Sequence, residues 1–136
     1  RHPAKWDKTI EAFDWLHSLG HKCYVLQTVS IMNIYYIKEF WEFFRSKGVN
    51  VSHNMVHHPN YYSAANAPQH AKQAVLDKIK GMPFYDSINN FLNQESNTLA
   101  FEQFFKENER LDVIRKQSYS NTFKEWYDVL KANNDR

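Results

Sequence analysis

Apolar residues in the first part of the chain follow two different spacings. Ile10, Phe13 and Leu16 recur at helical intervals, and Gly20 follows them at a position typical of a helix C-cap. The next segment, Cys23–Ser30, is short and rich in β-branched and aromatic residues. This composition is typical of a buried strand, so the pattern predicts a helix followed by a strand.

A second helix and a second strand are predicted directly afterwards. Asn33 favours a helix N-cap, Gly48 ends the helical pattern, and Val49–His57 has the character of a strand. The apolar face of this helix is formed by Ile34, Ile37, Phe40, Trp41 and Phe44. The order predicts one βαβ unit with two parallel strands over residues 23–57.

The rest of the chain has helical patterning only. After a polar loop over residues 59–68, helices are predicted over residues 69–79, 84–92, 101–111 and 121–131. Asn133–Arg136 is expected to fray. The predicted fold class is therefore α/β to α+β in a single compact domain. Residues 1–58 form a βαβ unit with a preceding helix, and residues 59–136 form a helical C-terminal region.

Charge and cysteine content narrow the function classes. The chain has 17 basic and 15 acidic residues, a balance that gives no electrostatic reason for specific nucleic-acid binding or membrane binding. Its single cysteine, Cys23, excludes an internal disulfide and a cysteine-clustered metal site within one chain. We therefore expect a reducing, cytoplasmic location. Because the chain begins at Arg1 without an initiator Met, we expect a piece of a longer protein.

The histidines offer one candidate chemistry. In an extended strand His53 and His57 would share a face, and two imidazoles with a further carboxylate could bind zinc. Their spacing matches no established zinc motif. The alternative is that both are polar residues at a strand end, bonded to backbone or water.

Polar residues at the two strand ends form a second candidate. In parallel α/β folds ligands bind beyond the carboxyl ends of the strands. Thr28, Ser30 and Asn33 at one end would meet Asn54 and His57 at the other and line a binding mouth. The alternatives are a helix-capping role for Asn33 and a turn role for the Ser30 hydroxyl.

Several segments resemble a known family. The strand Tyr-Val-Leu-Gln-Thr-Val-Ser is followed three residues later by Asn33 and then by a helix that ends in Lys47-Gly48-Val49. This arrangement is similar to the second half of a radical S-adenosylmethionine domain of the twitch or SPASM type. Leu111–Ser118 and Phe123–Trp126 resemble the tails of phage and marine twitch proteins.

The resemblance implies a partial (β/α) barrel with an iron–sulfur cluster and S-adenosylmethionine at the strand carboxyl ends. It places Thr28, Ser30, Asn33, Asn54 and His57 near the cofactor, and it matches Arg1 to an arginine that follows an acidic strand-end motif. The three-cysteine motif of the family is missing from this chain. We therefore expect no cofactor in this chain, no catalysis by it alone, and a parent whose N-terminal half supplies the cluster.

Two other functions stay open: a small α+β protein-interaction module, and a weak histidine-based metal-binding protein. A lone pair of parallel strands leaves two unpaired edges. We expect two copies to join edge strands into a four-stranded sheet, as a two-fold homodimer.

Overall fold

The computed structural model describes residues 5–132. The predicted fraying of Asn133–Arg136 and the match of Arg1 lie outside this range. The mixed fold is confirmed, with one parallel two-stranded sheet, flanking helices and a helical C-terminal region. The elements are α1 (Trp6–Ser18), β1 (Tyr24–Val29), α2 (Ile37–Ser46), β2 (Asn50–Met55), α3 (Gln69–Lys78), α4 (Tyr85–Leu92), α5 (Thr98–Arg115), α6 (Tyr119–Thr122) and α7 (Lys124–Lys131).

The sheet has the predicted parallel order. Tyr24 pairs with Asn50 at its start, and Val29 pairs with Met55 at its end. The second strand ends at Met55, two residues before the predicted end, although the Val56 N–H still donates to the Val29 carbonyl at 2.8 Å. His57 therefore lies two residues beyond the strand, and the predicted end of this strand is wrong.

The core closes around the segment that leaves β1. Ile31 and Trp126 are both fully buried. The indole Nε1 of Trp126 donates to the Ile31 carbonyl at 2.6 Å, and its ring stacks on Tyr35 at 5.1 Å between centroids and 10° between planes. This contact fixes α7 against the exit of β1.

Asn33 does not cap α2. It precedes a short 3₁₀ turn over Ile34–Tyr36 that leads into the helix, and its side chain accepts no hydrogen bond from a helix N–H. The amide instead bonds back to the β1 end, so the capping prediction is wrong. The predicted helix over residues 121–131 is also divided at Phe123, into α6 and α7.

One face of the sheet is bare. Alternate residues of β1 and β2 are exposed, among them Tyr24 at 75% and Leu26 at 64% of their surface. Parallel sheets normally have both faces covered, so these two large side chains mark an unusual surface. Between Lys5 and Ala132, no helix combines the length and hydropathy needed to cross a bilayer.

Candidate functional site

The polar groups that follow β1 bond to one another. The Asn33 Oδ1 accepts from the Ser30 N–H at 2.9 Å, and the Asn33 Nδ2 donates to the Thr28 carbonyl at 3.0 Å. The Ser30 Oγ accepts from the Met32 N–H at 3.2 Å. Ser30 and Asn33 therefore close the turn that redirects the chain from the strand into the helix.

The five residues predicted to line one mouth occupy three places. Thr28 and Asn54 are register partners with exposed side chains on the bare face, at the carboxyl end of the sheet. Ser30 and Asn33 lie in the turn. His57 lies beyond β2, where its ring meets Phe91 edge-on at 5.3 Å. The structure thus pairs Thr28 with Asn54, whereas His57 follows the end of β2 and packs against Phe91.

The two candidate metal ligands contact different aromatic rings. His53 packs edge-on against Phe84 at 4.7 Å between ring centroids, whereas His57 packs against Phe91. Burial lowers the pKa of His53 below its ordinary value because the charged imidazolium loses its hydration. Within residues 5–132, no cluster of three or more His, Cys, Asp or Glu side chains is arranged to hold a metal ion.

A groove runs along β1 on the side away from β2. It encloses about 480 Å³ between the strand and α2, with Leu26, Gln27 and Thr28 on the strand side. Its aromatic wall is formed by Trp6, Tyr36, Phe40, Phe43 and Phe123. Trp6 belongs to α1 and lies 5.7 Å from Phe43, ring centroid to ring centroid, so α1 and α2 build the wall together.

Gln27 is the unusual polar residue of this groove. It is only 6% exposed, and its Oε1 has no hydrogen-bond partner among the described residues. Its register partner on β2 is His53, whose buried Nε2 also lacks a partner there. Leaving a buried polar atom unpaired costs about 1–3 kcal/mol, so such atoms often mark a position that something else completes.

One hydrogen bond, from the Val56 N–H to the Val29 carbonyl, shows which way the backbone groups along β1 point. The N–H and C=O of a strand residue point to the same side, and the side alternates along the strand. Because the Val29 carbonyl accepts from β2, the backbone groups of Leu26 and Thr28 point away from β2, into the groove. Of these groups, the Thr28 carbonyl already accepts from Asn33.

The same alternation exposes an edge on the other strand. Residues Asn54 and Val56 point towards β1, so the backbone groups of Val51, His53 and Met55 point outwards. The sheet of the described chain contains only β1 and β2, which leaves this outer row without strand partners. Neither edge of the sheet pairs with a further strand among the described residues.

Lys72 is a buried lysine away from the groove, beside the loop that precedes α5. Lys72 is 4% exposed, and its Nζ donates to the Ser96 Oγ at 2.7 Å, which in turn donates to the Ala65 carbonyl at 3.0 Å. Burial lowers the pKa of Lys72 because the ammonium group loses water contacts. This arrangement ties α3 to the start of α5 and leaves the amine shielded from ligands.

Two features of the sequence are consistent with the groove, although the spacing of hydrophobic residues alone does not predict it. Gln27 is an amide in the middle of a mostly apolar strand, and α2 carries more aromatic residues than one buried face accommodates. A polar residue at the centre of a buried strand and surplus aromatics on the following helix are the features that could have indicated it. Lys72 gave no such signal, because a lysine within a helical pattern is ordinarily exposed.

Comparisons of the chain with models of known protein families, with curated proteins and with solved structures gave no match.

Proposed function

We propose that this chain is a protein-interaction module that forms a two-fold homodimer through the outer edge of β2. The observation that carries the proposal is the outward row of backbone groups on Val51, His53 and Met55. An open strand edge is a template for pairing with another chain. Two-fold association lets the same edge serve both copies.

The geometry defines one register that uses the whole edge. In an antiparallel pair centred on the two-fold axis, His53 faces His53 of the second copy and exchanges both backbone hydrogen bonds with it. Val51 then faces Met55 of the other copy. The result is a four-stranded sheet, with the strand β1 at each outer edge.

The bare face supports this assignment. Tyr24 and Leu26 lie on the same face as Ser52 and Asn54, and in the dimer the bare faces of both copies form one continuous surface. A broad sheet surface with large apolar side chains is a feature of proteins that engage partners.

Light scattering after size exclusion tests the dimer. We expect a mass of about twice 16.3 kDa at all but the lowest loading concentrations. In the proposed register residue 52 of one copy lies directly opposite residue 54 of the other, and both side chains are exposed in the single chain. Ser52→Lys with Asn54→Lys should therefore separate the copies, because like charges directly opposite are destabilising.

The matched control changes the sign of one charge. Ser52→Glu with Asn54→Lys places opposite charges across the interface and should keep the dimer. A mass of 16.3 kDa for the unmodified chain throughout, or equal association of both double variants, would refute this proposal.

The radical S-adenosylmethionine resemblance gives a second candidate, in which the βαβ unit belongs to a partial barrel and is inactive alone. Thr28 and Asn54, side by side at the carboxyl end of the bare face, favour it, because that is where (β/α) barrels bind ligands. The test is the reading frame upstream of Arg1. A Cys-x-x-x-Cys-x-x-Cys motif in frame would support this candidate, and a complete gene without the motif would remove it.

A further inference from the structure

The outer edge of β1 differs from that of β2 because it lies inside a walled groove. Leu26 presents both its N–H and its C=O to the groove, and Thr28 presents its N–H. Opposite these groups stands the aromatic wall built by α1 and α2. A strand edge facing a helix across an apolar groove is the arrangement in which domains bind an extended peptide by strand addition.

We propose that this groove binds an extended peptide of a partner protein as an additional strand on β1. The inference goes beyond the proposed dimer, since it uses the opposite edge of the sheet. Along the bound peptide, alternate side chains would enter the aromatic wall, and the intervening ones would lie beside Leu26 on the bare face.

Gln27 is the buried polar residue among those that line the groove. Its side-chain Oε1 has no hydrogen-bond partner among the described residues. An amide side chain is matched by a group that donates to its oxygen, which backbone N–H groups and Asn or Gln side chains both do. A purely hydrocarbon ligand would leave the outward backbone groups of Leu26 and the Thr28 N–H unpaired, so the strand edge favours a peptide.

The charge of the groove narrows the sequence of that peptide. Among the described residues that line the groove, only Glu39 has a formal charge at neutral pH, and its side chain is 53% exposed beside its ion pair with Lys78. A Lys or Arg beside the apolar positions would complement this carboxylate. The expected ligand is therefore an extended segment with apolar residues at alternate positions and one flanking basic residue.

A phage-displayed library of random decapeptides, selected against the full chain, provides the probe. We expect enrichment of peptides with alternating apolar residues and a basic residue. The affinity of a synthetic, dye-labelled copy of the best peptide is then measured by fluorescence anisotropy, with the folding of each variant checked by circular dichroism.

Two substitutions at one exposed position separate backbone pairing from side-chain contact. Leu26→Pro removes the N–H that points into the groove and leaves the β1–β2 hydrogen bonds intact, because Pro is tolerated where the N–H faces away from the sheet. We expect Leu26→Pro to weaken binding about tenfold relative to Leu26→Ala, as expected for a lost hydrogen bond near the upper end of its range.

The wall and the buried amide are tested in the same way. Trp6→Ala should weaken binding, whereas Trp15→Ala on the same helix, outside the groove, should not. Gln27→Leu keeps the side-chain bulk and removes the acceptor, so it should lower affinity in a folded protein. A library without enrichment, or binding that is equal in Leu26→Pro and Leu26→Ala, would overturn the proposal. Light scattering of the same variants reports the dimer independently, since Leu26 lies on the other edge.

Discussion

Replacing Asn33 tests whether the end of β1 is built by its side chain. Asn33→Ala removes the acceptor for the Ser30 N–H and the donor to the Thr28 carbonyl. Each such bond contributes about 0.5–1.5 kcal/mol net, so the free energy of unfolding should fall by about 2 kcal/mol. For a chain of 136 residues that loss corresponds to a decrease of about 7 °C in the melting temperature.

Urea unfolding followed by far-ultraviolet circular dichroism measures the effect. Asn33→Asp should be less stable than the wild type, because it keeps the acceptor for the Ser30 N–H but sets a carboxylate oxygen against the Thr28 carbonyl oxygen. Asn93→Ala is the matched control, since that amide donates only to an exposed side chain, Asn89. A loss below about 0.5 kcal/mol in Asn33→Ala would refute the turn-closing role, because it is smaller than one ordinary hydrogen bond.

Three further outcomes are expected. The pKa of His53 is lowered in the folded chain, so between that value and the unfolded value of about 6.5 only the unfolded state takes up the proton. As the pH decreases below about 6.5, the free energy of unfolding should therefore decrease, by at most about 1.4 kcal/mol per pH unit. Urea titrations at several pH values measure this slope, and His53→Leu should flatten it. Lys72→Met should raise the free energy of unfolding by about 1–3 kcal/mol in urea titrations, because a buried amine is replaced by an apolar side chain of similar length. A loss of stability would show that the hydrogen bond from Lys72 to Ser96 outweighs the cost of burying the ammonium group. Calorimetric titration with zinc should show no tight one-to-one binding, since His53 and His57 contact separate rings; stoichiometric binding abolished by His57→Ala would contradict this.

Hydrophobic spacing was sufficient for the order of the main strands and helices, but it did not show the division at Phe123 or the 3₁₀ turn before α2. The βαβ unit follows from the alternation of strand-like and helical segments between Cys23 and His57, and the structure has it with parallel pairing. Spacing could not show how Asn33 is used, because an amide before a helix serves a cap or a turn equally well. It also could not place α1, whose apolar residues contact α2 without any becoming fully buried.

The candidate site was predictable only in part. The polar character of both strand ends is visible in the sequence, whereas the position of His57 outside the strand follows from β2 ending at Met55. The groove depends on long-range packing, since Trp6 and Phe123 reach it from opposite ends of the chain. No local pattern encodes that meeting.

The bond from Trp126 to the Ile31 carbonyl joins residues 95 positions apart, which has a consequence for synthesis on the ribosome. β1, α2 and β2 emerge before α7, so the indole that closes the core over Ile31 is added much later than the strand it covers. At about 5–20 residues per second, the ribosome takes roughly 5–20 s to add those residues, far longer than a strand or helix needs to form. During that interval the nascent βαβ unit exposes Ile31 and its neighbours, in addition to its open strand edges. Chaperone contact is therefore expected while the chain is still attached to the ribosome, ending once α7 has emerged.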